Sequence, residues 1–80
     1  MHELGVLKYA LKTVQNVAQQ NNIEKVKFIT LDVGEESSYV PSFFEKLYPI
    51  AVEGNNFFKD TKLIIDIVPG KNLVVKEIGY

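Results

Sequence analysis

Eighty residues with a formal net charge of −1 and 46% hydrophobic residues indicate one small globular domain with a thin core. The nine basic residues are all lysines and form no run; without arginine, nucleic-acid binding is disfavoured, and no polybasic membrane patch is visible. The chain has no cysteine, which excludes disulfides and thiolate zinc sites. Without a signal-peptide pattern or an apolar run of roughly 18 residues, we expect a cytoplasmic protein.

The first predicted element is a helix close to the chain start. Its apolar residues recur at spacings of three and four, which places them on one stripe: Leu4, Leu7, Leu11, Val14 and Ala18. Asn21 and Asn22 predict the end of this helix, because asparagine tolerates the left-handed conformation found after helices.

A strand is predicted over residues 25–33, where Ile29, Leu31 and Val33 alternate with polar residues. In a regular strand, Val26 and Phe28 would point to the opposite face from Ile29, Leu31 and Val33. Either both faces of this strand are buried at its start, or a bulge shifts the register there.

A second helix is predicted to begin at Pro41, since the first turn of a helix tolerates a missing N–H, and Gly54 is a natural end signal. Pro49 lies inside this pattern, so we expect a kink or an early end there. The Phe57-Phe58 pair that follows is more typical of core filling under a loop than of an exposed patch.

Two further strands follow, around residues 62–67 and 73–78, separated by Pro69-Gly70, a strong turn signal. We therefore expect these two strands to form an antiparallel hairpin. The order α-β-α-β-β predicts an α+β fold in a single domain, with a mixed three-stranded sheet and both helices on one face.

The single histidine, His2, is the residue with the most specific chemistry. A histidine beside a chain start is most often a frayed terminal residue. Its position also allows the amine of Met1, the amide nitrogen of His2 and the imidazole to close adjacent chelate rings on one metal ion, with Glu3 adding an amide or a carboxylate. Planar nitrogen-rich sets of this kind suit Ni(II) or Cu(II) better than zinc.

Hydrolytic catalysis has few candidate residues here. With one histidine and no cysteine, a nucleophile–base pair would depend on His2 alone, and no glycine-rich phosphate loop matches the known spacings. Asp32, Asp66 and the Gly34-Glu35-Glu36 segment are interpreted as a solvated rim and strand edges. A non-enzymatic protein is therefore expected.

Several motifs, in order, resemble the nickel-binding domain of HypA-type hydrogenase maturation chaperones. The opening Met1-His2-Glu3-Leu4 is similar to the start of that family, and the likeness continues along almost the whole chain. The further matching stretches are Leu31-Asp32-Val33-Gly34-Glu35, Ser38 to Pro41, Glu53-Gly54, Val68-Pro69, Gly70, Leu73, Val75-Lys76 and Ile78.

One departure from that family is large. Its zinc ribbon, with two Cys-x-x-Cys pairs, is inserted between the last two strands, where Pro69-Gly70 connects them directly in this chain. Residues 1–80 thus resemble a nickel-binding domain without the zinc domain, with the insertion point expected near residues 69–71. Zinc is not expected, because the chain has no cysteine.

The resemblance implies that Met1, His2 and Glu3 form a Ni(II) site, with Glu3 either a ligand or a support at the positive end of the helix dipole. It also implies nickel delivery for maturation of NiFe hydrogenase or urease, with the hydrogenase large subunit and a nickel-handling GTPase as partners, and it leaves a homo-oligomer open. The alternative is a protein-interaction or regulatory module that keeps the fold without delivering metal, docking partners on an exposed strand edge.

Overall fold

Two helices and three strands make up the computed structural model, which describes residues 2–80. Their order along the chain is α1 (Glu3–Gln20), β1 (Phe28–Gly34), α2 (Pro41–Ala51), β2 (Lys62–Val68) and β3 (Leu73–Gly79), with a short 3-10 turn at Asn56–Phe58 before β2. The predicted α-β-α-β-β order and the α+β class are confirmed.

Helix α1 forms where its apolar stripe predicts it. Leu7, Leu11, Val14 and Ala18 are buried in the core, because residues three and four apart share one helix face. The helix ends at Gln20, and Asn22 then takes a positive φ of 59°. Asparagine at this point ends the helix as expected, since it adopts the left-handed region more readily than most residues.

The sheet has the strand order β2-β1-β3, so the predicted hairpin between β2 and β3 is wrong. Strand β1 lies between them, parallel to β2 and antiparallel to β3. The sheet is therefore mixed, as expected. A register shift opposite Thr30 and Leu31 leaves Lys76 of β3 as the extra residue of a bulge; this bulge is not at the start of β1.

The connection between β2 and β3 passes over the end of β1. Its backbone pairs with β1 through a bond from the amide of Gly34 to the carbonyl of Asn72 (2.8 Å) and one from Glu36 to Gly70 (2.9 Å). A Cβ atom on Gly34 would lie 2.5 Å from the Gly70 carbonyl oxygen. Only glycine at position 34 leaves room for this crossing.

Helix α2 continues through Pro49 and ends two residues later, at Ala51, before the glycine signal at position 54. Phe44 on this helix is fully buried. Phe58 is also buried, and its ring meets that of Phe57 edge-on at 4.9 Å. The prediction that this pair fills the core under a loop is thus confirmed.

Both helices cover the same face of the sheet, as predicted. The covered face carries Ile29, Leu31 and Val33 of β1, each buried in the core with α1 and α2. Alternate residues of a strand point to opposite faces, so Phe28, Thr30 and Asp32 lie on the other side. We call that side, which neither helix covers, the open face.

Candidate metal centre at the start of the chain

The start of α1 is held against the start of α2 by one carboxylate. Oε2 of Glu3 accepts a hydrogen bond of 2.9 Å from the backbone N–H of Val40, the residue that precedes α2. Glu3 is only 5% exposed. Because the two residues are 37 positions apart in the chain, this bond fixes where the first turn of α1 lies.

Hydrogen bonding to backbone amides lowers the pKa of Glu3 below its ordinary value of 4.5. The bond from Val40 has the largest effect, burial of the carboxyl opposes it, and the amide of Glu3 itself acts in the same direction as Val40. The charged form is favoured, since hydrogen bonds to a carboxylate stabilise its ionised state. Glu3 is therefore a carboxylate at neutral pH.

His2 precedes the first residue of α1, and its side chain is exposed. Its carbonyl accepts the hydrogen bond from Val6 (3.0 Å) that begins the helix, whereas its imidazole makes no capping bond. The structure therefore leaves the imidazole accessible at the start of a fixed helix. Met1, the third residue predicted for the metal site, lies outside the described residues.

Side chains alone do not assemble a metal cage in the part of the chain that the structure describes. Within residues 2–80, no group of three or more His, Cys, Asp or Glu side chains is close enough to hold a metal ion. A site at the chain start would therefore need backbone nitrogens as ligands. The first N–H groups of a helix have no intrahelical acceptor, so amides at this position are available for such chemistry.

Two carboxylates that the sequence places at strand edges have a different setting. Asp32 lies on the central strand, and its register partner on β2 is Asp66. Both are half-buried. The interpretation as a solvated rim is wrong for Asp32, because β1 has a neighbouring strand on each side. The alternation of side chains along each strand could have placed Asp32 and Asp66 on the same face of the sheet. It could not have shown that the two residues are register partners.

The structure thus defines a small α+β domain, and comparison with known proteins identifies its family. The family model described as "Hydrogenase/urease nickel incorporation, metallochaperone, hypA" matches residues 1–73. A hydrogenase maturation factor HypA from Methanocella arvoryzae is 35% identical over 69 residues, covering 86% of this chain and 60% of that protein. Its counterpart from Moorella thermoacetica is 33% identical over the same proportions.

Solved structures show the same fold. The solution structure of the Ni metallochaperone HypA from Helicobacter pylori superposes with a TM-score of 0.77 at 20% identity, covering 96% of this chain and 72% of that one. A second HypA solution structure gives a TM-score of 0.65 at 22% identity, covering 96% and 71%.

The chain belongs to the HypA family of hydrogenase/urease nickel incorporation metallochaperones. It spans about 60% of the length of the first two curated relatives. Among residues 2–80, no helix is both long and apolar enough to cross a membrane.

Proposed function

We propose that this chain binds Ni(II) at its start and delivers it during maturation of NiFe hydrogenase or urease. The observation that carries the proposal is the placement of the only imidazole of the chain: His2 is exposed at the first turn of a helix that Glu3 holds in position. The family of the chain supports the choice of nickel. The role is binding and transfer, not catalysis, and we assign it to the cytoplasm.

We assign three residues to the site, each through specific atoms. Met1 contributes its amine, and His2 contributes its amide nitrogen and imidazole, which together close adjacent chelate rings. Glu3 has one carboxylate oxygen bonded to Val40, so we assign its carboxylate to support of the first turn. Nitrogen-rich planar sets favour Ni(II) over ions that prefer tetrahedral or all-oxygen coordination.

The domain assignment and the partners follow from the same proposal. We assign residues 1–80 to a nickel-binding domain, and we infer from the family resemblance that the zinc domain is absent at the insertion point expected near residues 69–71. No cysteine is present to hold zinc by thiolates. The acceptor of the nickel is the hydrogenase large subunit, and a nickel-handling GTPase assists the transfer.

A nickel titration of tag-free protein tests the binding step. Calorimetry should show Ni(II) binding by the wild type, together with the visible absorption of square-planar Ni(II). Replacing His2 by Ala, or adding residues before Met1, should remove both signals. Asn16→Ala, an exposed change on the same helix, is the matched control and should leave the affinity unchanged.

The pH dependence provides a second readout of the same site. Binding should weaken in acid, because protons compete with the metal for the amine, the imidazole and the amide nitrogen. Equal nickel affinity in the wild type, in His2→Ala and in the extended chain would refute the proposed site. Binding of a maturation partner by the metal-free protein, with His2 dispensable, would favour the interaction module instead.

A further inference from the structure

The open face of the sheet carries apolar side chains that are absent from the core. Phe28, Ile64 and Val68 are half-buried and Val74 is 49% exposed, yet none of them packs with the core beneath the helices. The ring of Phe28 lies where a Cβ on Gly79 would otherwise be. In the residues that the structure describes, the open face therefore has no helix over it, and it combines these apolar side chains with polar ones at the same strand parity: Thr30, Asp32, Lys62, Asp66 and Glu77.

An acidic pair lies beside these apolar side chains on the open face. Asp32 and Asp66 are direct register partners on parallel neighbouring strands, so their side chains emerge side by side on the open face. No lysine amine within residues 2–80 lies within 4.0 Å of either carboxylate; the ion pair between described side chains joins Lys25 and Asp60 instead. The two carboxylates are therefore neighbours, and neither forms an ion pair with a described lysine.

One oxygen of this pair is closed off from water as well. Oδ1 of Asp32 has almost no solvent-accessible surface and no hydrogen-bond donor. A buried acceptor without a partner costs free energy, more so when it is charged. Because Oδ1 is covered by the chain's own atoms, a donor from outside the chain would instead bond the remaining carboxylate oxygens of Asp32 and Asp66.

We propose that the open face is a docking surface for an amphipathic helix of a partner protein. The apolar side chains of that helix pack against Phe28 and Ile64, and one of its arginines lies between Asp32 and Asp66. A helix packed on a sheet face is one of the stable layer arrangements of proteins, and it already covers the opposite face of this sheet. Arginine matches the pair, because its guanidinium has five donors in a planar fork and bonds carboxylates more strongly than neutral donors do. This surface is independent of nickel binding.

The test uses the metal-free chain of residues 1–80 and two synthetic amphipathic helical peptides. One peptide consists of leucine and arginine and the other of leucine and glutamate, with leucine at the same positions in both. Amide chemical shifts in NMR spectra locate the bound peptide. We expect the arginine peptide to shift the amides of Phe28, Asp32, Ile64 and Asp66, and its affinity to fall as salt is added. The glutamate peptide should not bind.

Variants separate recognition from general attraction between charges. Asp32→Asn with Asp66→Asn should weaken the arginine peptide by about tenfold or more, as expected for loss of hydrogen bonds to charged groups. The matched control is Asp60→Asn, an exposed acid outside the open face, which should leave the affinity unchanged. Absence of binding or equal binding of both peptides would overturn the proposal. So would shifts confined to the groove that Val14 and Val17 of α1 form with Val75 and Ile78 of β3.

Discussion

Replacing Gly34 by alanine should destabilise the fold at the point where the β2–β3 connection crosses β1. The new Cβ would lie 2.5 Å from the Gly70 carbonyl oxygen, 2.8 Å from the Gly70 carbonyl carbon and 2.9 Å from the Asn72 nitrogen. All three are backbone atoms, so no side-chain rotation can relieve the contact. The connection must move away from β1, and the bonds from Gly34 to Asn72 and from Glu36 to Gly70 must lengthen.

The expected loss is about 2–4 kcal/mol. Overpacking by one methyl group typically costs about 1–3 kcal/mol, and weakening one or two backbone hydrogen bonds adds about 1 kcal/mol. This is a large part of the roughly 5–15 kcal/mol by which small domains are stable. With a urea dependence of about 1 kcal/mol per molar, the unfolding midpoint followed by circular dichroism should fall by about 2–4 M.

Gly5→Ala is the matched control for this prediction, because it adds the same methyl group at a position where there is room for it. A Cβ on Gly5 would meet nothing within 4 Å, and Gly5 is an exposed position of α1. Alanine there should stabilise the protein by about 0.5–1 kcal/mol, because glycine is a poor helix former. If Gly34→Ala unfolded at the same urea concentration as the wild type, the close crossing of the connection over β1 would be refuted.

Three further changes test other parts of the structure. Because the pKa of Glu3 is lowered in the folded protein, its charged form contributes stability above pH 4.5 that is lost as the pH falls through the folded pKa; Glu3→Gln should be less stable than wild type near neutral pH, and denaturation curves should converge in acid. Phe44→Ala should lower the free energy of unfolding by about 3–5 kcal/mol. The same change at the neighbouring Phe43, which is 43% exposed, should lower it by less than about 1 kcal/mol. Similar melting temperatures of the two variants would contradict the placement of Phe44 in the core. Asp66→Asn should raise the free energy of unfolding by about 0.2–1 kcal/mol, and with it the urea midpoint, since it removes a like charge beside Asp32. A lower midpoint would argue against repulsion between the two carboxylates.

The helices and strands could be predicted from the sequence because each has a local signal. The stripe from Leu7 to Ala18, the alternation from Ile29 to Val33 and the proline at position 41 act within a few residues. Strand order is different, since it depends on which strands meet after the chain has folded. Pro69-Gly70 correctly marks a change of direction, but a turn signal does not reveal that β1 will lie between the strands it joins.

The candidate sites show the same division. The proposed chelate of Met1, His2 and Glu3 could be inferred from the sequence, because its donor atoms belong to residues that are neighbours along the chain. The bond from Val40 to Glu3 spans 37 positions, and no local pattern indicates it. Likewise, the pairing of Asp32 with Asp66 depends on the parallel register, which the sequence leaves undetermined.

The crossing over β1 also governs how much the chain can vary in length at this point. Because β2 and β3 each pair with β1 and not with one another, the pairing of the three strands does not depend on the connection, whereas the bonds from Gly34 to Asn72 and from Glu36 to Gly70 do. The connection must only bridge two strand spacings, about 10 Å, which three or four extended residues can reach. The four residues from Pro69 to Asn72 are thus near the shortest workable bridge, and a whole module could be spliced in or excised here without re-pairing a strand.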